Sequence, residues 1–404
     1  MNCASLPLDD QSLQPARRWV LPRSAVTVFG IVTAITFIAT SSAPTPLYRL
    51  YQQGFDLSPL LLTVIFAAYA FTLLGALLTV GSLSDHVGRR PVVFAALLLN
   101  IVAMAMFIEA HSAAGLIAAR MVQGFAVGAA TTSLGALILD GNRTHGPLFN
   151  SLTIFVGLTL GALGSGALVT FAPHPTQLVY AVLLVASALE AFVLWYLPET
   201  SAARPGALAS LRPQVHVPPQ ARATFLRVTP INIAAWALGG FYLSLMPSLV
   251  RIATGFSSPL FGGMVVAALT LSAGVAVVWR RKHPAANTLR TGILTLASGV
   301  AITLAGVHAE HAAIMLFGTM VAGAGLGAAF SGTFGSVLPL AHDHQRAALL
   351  STFYVESYLA YSLPTLAIGL LVPVLGLPVS AYIYGGAIIV LAAISLVAAA
   401  PARR

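Results

Sequence analysis

The polar stretch Gly81-Ser82-Leu83-Ser84-Asp85-His86-Val87-Gly88-Arg89-Arg90-Pro91 separates two long apolar runs, residues 58–80 and 91–109. A bilayer core about 30 Å thick needs roughly 20 apolar helical residues, so each run is long enough to cross a membrane. Glycine, proline and charged residues punctuate the stretch, so it continues neither run. The pattern indicates a short loop that joins two membrane-spanning helices on one side of the bilayer.

The composition extends this interpretation to the whole chain of 404 residues, because 58% of them are apolar and only 8% are charged. Soluble domains carry about a quarter charged residues. Twelve windows of spanning length occur: 25–46, 58–80, 91–109, 113–139, 147–171, 176–197, 228–250, 257–279, 288–308, 311–339, 347–373 and 377–399. The sequence predicts an all-α membrane protein. It excludes a cytosolic enzyme, a disordered regulator and, with Cys3 as the only cysteine, a disulfide scaffold.

Nearly all of the 20 basic residues lie in the segments between the spans, so they predict the orientation of the chain in the membrane. They are not gathered on one face, which argues against nucleic acid as a partner. With the N-terminus in the cytoplasm, only Arg49 and Arg251 lie outside and Arg120 lies within a span. The others are cytoplasmic: Arg17, Arg18, Arg23, Arg89, Arg90, Arg143, Arg204, Arg212, Arg222, Arg227, Arg280, Arg281, Lys282, Arg290, Arg346, Arg403 and Arg404. We therefore expect both termini in the cytoplasm. The 24-residue polar leader and Pro44 favour an uncleaved first span over a signal peptide.

The proline- and arginine-rich segment 198–227 divides the spans six and six. Residues 120–130 (Arg-Met-Val-Gln-Gly-Phe-Ala-Val-Gly-Ala-Ala) resemble residues 319–329 (Thr-Met-Val-Ala-Gly-Ala-Gly-Leu-Gly-Ala-Ala), which relates span 4 to span 10. The predicted organisation is a cytoplasmic tail (1–24), a six-helix bundle (25–197), a cytoplasmic linker (198–227), a second six-helix bundle (228–399) and a cytoplasmic tail (400–404).

Residues 81–91 resemble the signature loop between spans 2 and 3 of the major facilitator superfamily, with Gly81, Asp85 four residues later, and then Gly88-Arg89-Arg90. His86 departs from the family, in which Arg is more frequent there. The resemblance implies two pseudo-symmetric six-helix bundles around a central cavity, working by alternating access. It also implies that Asp85 latches the halves against the start of span 11. Alternatively, the arginines only anchor the topology and Asp85 caps a helix. Gly81 predicts close approach to another helix.

Arg120 lies about seven residues into span 4, where an arginine costs on the order of 3 kcal/mol on insertion scales. The pattern Arg120-x-x-Gln123-Gly124-x-x-x-Gly128 is similar to the family's span-4 motif. The resemblance implies that Arg120 faces the central cavity, beside Gln123, and takes part in proton coupling. Gly124 and Gly128 predict close helix packing. The alternative is an arginine that reaches the outer interface.

Glu356 lies near the middle of span 11, where burial disfavours a charged carboxyl group. The sequence predicts Glu356 as the main proton site, with Arg120 biasing its ionisation or binding an anionic substrate group. The alternative is a structural carboxyl group that is hydrogen-bonded to a neighbouring helix. Glu190, nearer the cytoplasmic end of span 6, is the second candidate for the proton, or else faces lipid or the interface.

Span 5 contains Gly157-x-x-x-Gly161-Ala162-x-x-Ser165-Gly166, which resembles a motif of the family's antiporters with Ala162 in place of proline. The same small residues predict ordinary close packing at Gly157, Gly161 and Gly166, so antiport is one of two interpretations. Polar and aromatic side chains that we expect to line a substrate cavity, or else to pack or anchor the spans, are Tyr69, Thr72, Asn232, Trp236, Tyr242, Tyr354, Tyr358 and Tyr361.

The sequence contains no Walker loop, no Gly-x-Ser-x-Gly elbow and no His-Glu-x-x-His helix. It predicts a secondary transporter of the cytoplasmic membrane rather than an enzyme, with no cofactor or metal. The expected partners are a small-molecule substrate, protons and the lipid bilayer, and we expect a monomer. The leading interpretation is proton-coupled export of small organic molecules. The alternatives are import of a sugar or organic acid, with Arg120 binding the carboxylate, and a sensor without transport.

Overall fold

The computed structural model describes residues 21–342 and 345–398. The predicted tails therefore lie almost wholly outside the described residues, as do Cys3 and the basic residues Arg17, Arg18, Arg403 and Arg404.

The described residues of the N-terminal half form helices joined by short turns. In chain order they are α1 (Arg23–Ser42), α2 (Tyr48–Phe55), α3 (Pro59–Val80), α4 (Ser84–Val87), α5 (Arg89–Ile108), α6 (Ala113–Gly141), α7 (Gly146–Phe171) and α8 (Pro175–Val193). A short helix, α9 (Ala207–Ser210), lies in the linker. Spans 1 to 6 of the sequence correspond to α1, α3, α5, α6, α7 and α8.

The C-terminal half repeats the plan. Its helices are α10 (Pro219–Ser244), α11 (Met246–Thr254), α12 (Pro259–Arg280), α13 (Ala285–His308), α14 (Ala312–Val337), α15 (Arg346–Leu375) and α16 (Leu377–Ala398). Eleven of the described helices are long and apolar enough to cross a membrane, and α10 with α11 makes a twelfth if the bent pair counts as one span. The predicted all-α membrane fold is confirmed.

The predicted seventh span, 228–250, differs from the structure at both ends. α10 begins at Pro219, because proline suits a first helical turn and Ala221, Phe225 and Val228 form a buried stripe despite the intervening arginines. The linker therefore ends at Pro218 rather than at residue 227.

At its other end the same span bends by 65° between α10 and α11. Pro247 has no backbone N–H to donate to the Leu243 carbonyl, so the helix cannot continue straight. The Thr45 hydroxyl, from the other half of the protein, donates to that carbonyl at 2.8 Å.

The internal repeat is visible in the packing. α6 packs against α3, and a Cβ added at Gly124 would overlap the Tyr69 carbonyl oxygen. α14 packs against α12 in the same way, because a Cβ at Gly323 would overlap the Leu269 carbonyl oxygen. Gly124 and Gly323 occupy the same place in the two copies of the repeat. The glycines thus allow two pairs of backbones to approach at equivalent crossings.

Candidate functional site

A vestibule of about 750 Å³ opens on one side of the helix bundle. Its wall includes Gly81, Asp85 and His86 of the 81–91 loop and Arg212 of the linker. We call this side the linker side and the other the opposite side.

A central cavity of about 160 Å³ lies between the two halves. Ile38, Thr131, Ile154 and Tyr354 line both the cavity and the vestibule, so the two spaces are continuous. The structure brings together around this cavity six of the side chains that the sequence singled out, whereas Thr72 and Tyr242 do not line it; the six are Tyr69, Asn232, Trp236, Tyr354, Tyr358 and Tyr361.

Aromatic rings dominate the cavity wall. The Trp236 ring lies with its centroid 5.1 Å from that of Tyr358 and 6.1 Å from that of Tyr361. None of the described residues that line the cavity is charged. Ring faces, a few hydroxyl groups and one amide suit lipophilic ligands, and ring faces also attract organic cations.

Phe155 and Phe330 also line the cavity, with their ring centroids 5.9 Å apart, and no sequence pattern singles them out. A phenylalanine in an apolar run has the same pattern whether it faces lipid, a helix or a cavity. Only the arrangement of the helices distinguishes these cases.

The opposite side is closed by hydrogen bonds between the halves. Besides the bond from Thr45 to the Leu243 carbonyl, Arg49 donates to the Ser257 carbonyl at 2.6 Å. The space that remains beside these contacts is about 30 Å³. These contacts close the opposite side, while the vestibule adjoins the cavity on the linker side.

The small residues of span 5 serve two contacts. A Cβ at Gly157 would lie 2.6 Å from the Ile38 Cβ, and one at Gly161 would overlap the Ala39 carbonyl oxygen, so both glycines pack against α1. Further along, α7 crosses α12 of the other half. There a Cβ at Gly166 would lie 3.1 Å from the Pro259 carbonyl oxygen. The small-residue face of α7 that the sequence predicts therefore packs against α1 at Gly157 and Gly161, and against the other half of the protein at Gly166.

Arg120 is fully buried, with 1% of its surface exposed. Its Nη1 donates to the Ser41 carbonyl at 3.1 Å and to the Gln123 side chain at 2.8 Å, and its Nη2 donates to the Tyr48 hydroxyl. The guanidinium carbon also lies 5.7 Å from the Tyr48 ring centroid and 5.4 Å from that of Tyr69. Carbonyl groups, a hydroxyl and ring faces, rather than a carboxylate, hold this cation.

The expectation that Arg120 faces the central cavity is wrong. Ser41 and Tyr69 line the cavity and both contact Arg120, so they separate the guanidinium from the open space. Nor does Arg120 reach the outer interface. The Ser41 carbonyl, the Gln123 side chain and the Tyr48 hydroxyl accept from its two Nη atoms inside the N-terminal half, whereas its Nε is buried and has no hydrogen-bond partner among the described residues.

Gln123 lies beside Arg120, as predicted, but behind the cavity wall. It is fully buried and donates through Nε2 to the Thr40 carbonyl at 2.7 Å. One turn further, a Cβ at Gly128 would lie 2.7 Å from the Ala76 Cβ, which extends the close packing of α6 on α3.

Glu356 is half-buried between α15 and α10. Thr229 donates to its Oε2 and Asn232 to its Oε1, each at 2.9 Å. Glu356 does not line the cavity and forms no ion pair with Arg120 among the described residues, so no direct contact accompanies the expected influence of Arg120 on its ionisation. Asn232 connects the two sites, because its side chain contacts Glu356 and also lines the cavity.

Glu190 is 8% exposed and lies between α8 and α1, where Thr36 donates to its Oε1 at 2.6 Å. The expectation of a lipid- or interface-facing carboxyl group is therefore wrong. The polar threonine face of α1, rather than the hydropathy of α8, determines where this side chain lies.

The 81–91 loop is held by its own charges. Arg89 pairs with Asp85, donates to the Ser84 hydroxyl at 2.8 Å and lies 3.5 Å from Asp140. The Asp85 side chain is 57% exposed. Among the described residues it makes no hydrogen bond to α15, so the latch implied by the family resemblance is not engaged. Gly81 lines the vestibule, and the atoms nearest to its added Cβ belong to Leu77 of its own helix, so no second helix approaches it.

Glu199 lies outside the 81–91 loop but contacts its end, and no sequence pattern singles it out. It accepts hydrogen bonds from the backbone N–H groups of Arg89 and Arg90, at 2.9 and 3.0 Å, and so caps the start of α5. Gly88 has a φ of 100°, and a Cβ there would lie 2.8 Å from the Glu199 Oε2. Arg90 donates to the Trp195 carbonyl at 3.0 Å. Glu199 lies more than 100 residues away in sequence, so no local pattern reveals it.

His86, the departure from the family loop, contacts the linker. Its backbone carbonyl accepts from the Arg204 N–H at 2.7 Å, and its Nδ1 lies 3.1 Å from the Pro205 carbonyl oxygen. The Ser82 hydroxyl donates to the Ser210 carbonyl at 3.0 Å. The linker therefore packs against the 81–91 loop.

Comparisons with known proteins agree with this fold. The family model of the Major Facilitator Superfamily matches residues 28–285. Multidrug resistance protein MdtL of Citrobacter koseri is 26% identical over 284 residues, which cover 67% of this chain and 69% of that protein. The protein of the same name from Shigella flexneri is 25% identical over 283 residues, with the same coverage.

Two solved structures share the fold. The nucleoside transporter NupG aligns with a TM-score of 0.72 at 12% identity, covering 93% of this chain and 100% of that one. The human organic anion transporter MFSD10 aligns with a TM-score of 0.63 at 18% identity, with the same coverage. The protein is a multi-pass membrane transporter of small molecules rather than an enzyme. It belongs to the major facilitator superfamily.

Proposed function

We propose that this protein exports lipophilic organic molecules, neutral or cationic, in exchange for protons. The observation that carries the proposal is the central cavity, whose wall is aromatic and has no charged side chain among the described residues. The multidrug resistance relatives, at 25–26% identity, agree with this substrate class.

The orientation follows from the basic residues. The 81–91 loop and the linker carry Arg89, Arg90, Arg204 and Arg212, and the positive-inside rule assigns such loops to the cytoplasm. On this assignment the linker side faces the cytoplasm, and both termini do too. The vestibule is then an inward-open entrance, through which a substrate reaches the cavity from the cytoplasm.

Glu356 is the proposed proton carrier. A proton taken from the outside binds the Glu356 carboxylate and is released to the cytoplasm when the linker side is open. Asn232 couples this release to the substrate, because its amide donates to Glu356 and also lines the cavity.

Arg120 is a positioning residue in this scheme. It holds Ser41 and Tyr69, two parts of the cavity wall, and its contacts span α1 and α6. The alternative of acid import, with Arg120 binding a carboxylate, is disfavoured because Tyr69 and Ser41 separate its guanidinium from the cavity.

No other energy source is required. A membrane potential of 100 mV contributes about 2.3 kcal/mol for each charge moved, or roughly a fifty-fold gradient of substrate for each electrogenic proton.

The test is proton movement in energised inside-out vesicles, challenged with lipophilic cations, sugars and organic acids. We expect lipophilic cations to collapse the pH gradient with wild-type protein and with the control Glu109→Gln, whose carboxyl group is exposed at the end of α5. Glu356→Gln should abolish the response. A response to organic acids alone would overturn the substrate class. A response that survives Glu356→Gln would overturn the assignment of the proton to Glu356.

A second variant tests the aromatic wall. Trp236→Ala removes a ring that lies against Tyr358 and lines the cavity, whereas Trp236→Phe keeps a ring. Stacking or cation–π contacts contribute about 1 kcal/mol, so Trp236→Ala should raise the apparent KM for an aromatic cation roughly five-fold. Equal KM values for the two variants would show that the ring does not contact the substrate.

A further inference from the structure

A buried polar column runs through the N-terminal half, apart from the central cavity. None of its members lines the cavity, and each exposes 9% of its surface or less: Thr33, Thr36, Thr40, Asn100, Ser187 and Glu190. Thr33, Thr36 and Thr40 share one face of α1, because they are three and four residues apart.

The part of the column nearest Arg120 is fully hydrogen-bonded. The Asn100 Nδ2 donates to the Ser187 hydroxyl at 2.9 Å, and the Thr40 hydroxyl reaches the Asn100 Oδ1 at 3.5 Å. The Thr40 carbonyl accepts from Gln123, which accepts from Arg120. Each of these groups is neutral except Arg120, and each neutral group has a partner.

At Glu190 the hydrogen bonds of the column are incomplete. The Thr36 hydroxyl donates to the Glu190 Oε1 at 2.6 Å, but the Oε2 is buried and has no hydrogen-bond partner. The Thr33 hydroxyl is also buried and lies beside the same carboxyl group, so it is the group with which the Oε2 can share a proton. Two buried oxygen atoms therefore belong to one small cluster.

Among the described side chains, no cation pairs with Glu190. α8 packs against α1, α5 and α7. Of the described side chains on these helices, Arg89 is bound to Asp85 and Arg90 to the Trp195 carbonyl, and α7 carries no charged residue. A buried carboxylate that has only neutral hydroxyl groups as donors, and no cation, is strongly unfavourable.

We propose that Glu190 binds a proton in this conformation and is a second proton site of the transporter. One proton on Oε2 removes the buried charge, whereas donation from the Thr33 hydroxyl to a deprotonated Oε2 would leave that charge without a cation. A metal ion would need about six oxygen ligands, and the cluster offers two that are open. The geometry therefore favours a proton.

The site is linked to the substrate cavity through α1. Thr33 and Thr36 hold Glu190, while Ser41 on the same helix lines the cavity and hydrogen-bonds the Tyr69 hydroxyl at 2.7 Å. Release of the proton leaves a carboxylate that must gain donors or water, which moves α1 relative to α8. This coupling rests on the proposed proton-driven transport, whereas the protonation does not.

Infrared difference spectroscopy of the purified full-length protein, without substrate, tests the protonation. At neutral pH the C=O stretch of a protonated carboxyl group should be present in wild type and in Glu356→Gln. It should lose one carboxyl group per protein in Glu190→Gln. A Glu190→Gln spectrum equal to that of wild type would overturn the proposal. So would a band that disappears on adding Na⁺ at constant pH, because that would identify a metal site.

A second variant keeps the proposal testable if Glu190→Gln is not recovered. Thr36→Val leaves the carboxyl group in place and removes the donor to its Oε1, so the band should shift in frequency without losing intensity. An unshifted band would place the protonated carboxyl elsewhere. Failure of the vesicle experiment with Glu356→Gln would leave both of these spectra unchanged, so the two proposals fail separately.

Discussion

Arg120 and Thr319 occupy equivalent positions in the two halves of the protein but have different partners. Arg120 donates to the Tyr48 hydroxyl and lies over two aromatic rings. Thr319 forms a neutral hydrogen bond of 2.8 Å with the Tyr242 hydroxyl. Both groups are fully buried beside a glycine crossing that the repeat has preserved.

The comparison separates two requirements of the fold. Close packing of α6 on α3 and of α14 on α12 needs small residues in both halves, because backbone carbonyls lie where a side chain would be. A buried cation is needed in one half only. The duplicated feature is therefore structural, and we infer that the feature found once serves transport.

The largest expected effect is on packing, and it should be equal in the two halves. Gly124→Val and Gly323→Val place side-chain atoms against backbone carbonyls that cannot move aside. We expect each to destabilise the protein by about 3 kcal/mol, the upper part of the range for overpacking. Thermal unfolding and size-exclusion chromatography of the purified variants measure this.

The matched controls are Gly75→Val and Gly386→Val, because no atom lies within 4 Å of a Cβ added at either position. These variants should be at least as stable as wild type, since valine is a better helix former than glycine. If only one half tolerated its crossing variant, the equivalence of the two crossings would be wrong.

The next effect should differ between the halves. Arg120→Met removes charge-assisted hydrogen bonds worth about 1.5–3 kcal/mol, so we expect transport to fall roughly 10- to 100-fold. Thr319→Val removes one neutral bond of about 1 kcal/mol and should lower transport about five-fold at most. Efflux rates per folded transporter in vesicles measure both. Equal rates for the two variants would remove the asymmetry on which the comparison rests.

The loops that follow α3 and α12 offer a third comparison. Asp85→Asn should slow transport several-fold, because Asp85 is the proposed latch for the conformation in which the linker side closes. Stability should change by less than about 1 kcal/mol, since the pair with Arg89 is largely exposed. Arg280→Gln in the second loop, which bonds Thr291 at 2.7 Å, is the control and should transport normally. An unchanged rate in Asp85→Asn would rule out the latch.

The smallest effect concerns the two tyrosines. Tyr48→Phe removes an acceptor of a charged donor and Tyr242→Phe removes a neutral partner, so we expect Tyr48→Phe to be the more destabilising by about 1 kcal/mol. Thermal unfolding measures the difference. Repeating the pair in an Arg120→Met background should abolish it. A difference that persists there would have another origin than the cation.

Much of the site could be predicted from the sequence, and the predictions that failed have a common cause. Tyr69, Asn232, Trp236, Tyr354 and Tyr358 line the cavity, because aromatic and polar residues on the spans that face the other half have few other places to point. The resemblance to the family's span-4 motif placed Arg120 in the same cavity. The sequence could not reveal that Ser41, Tyr48 and Tyr69 surround its guanidinium from three other helices.

Composition and span length by themselves determined the membrane fold and the number of spans, because transfer of a helix into lipid depends on its own residues. They also determined that residues 81–91 form a loop between two spans. The tertiary structure alone decided which polar groups meet. Glu199 caps α5, Glu190 lies against Thr36, and Asn232 joins Glu356 to the cavity wall. These contacts form between residues distant in sequence, and the free energy of a buried polar group depends on its partner rather than on its neighbours along the chain.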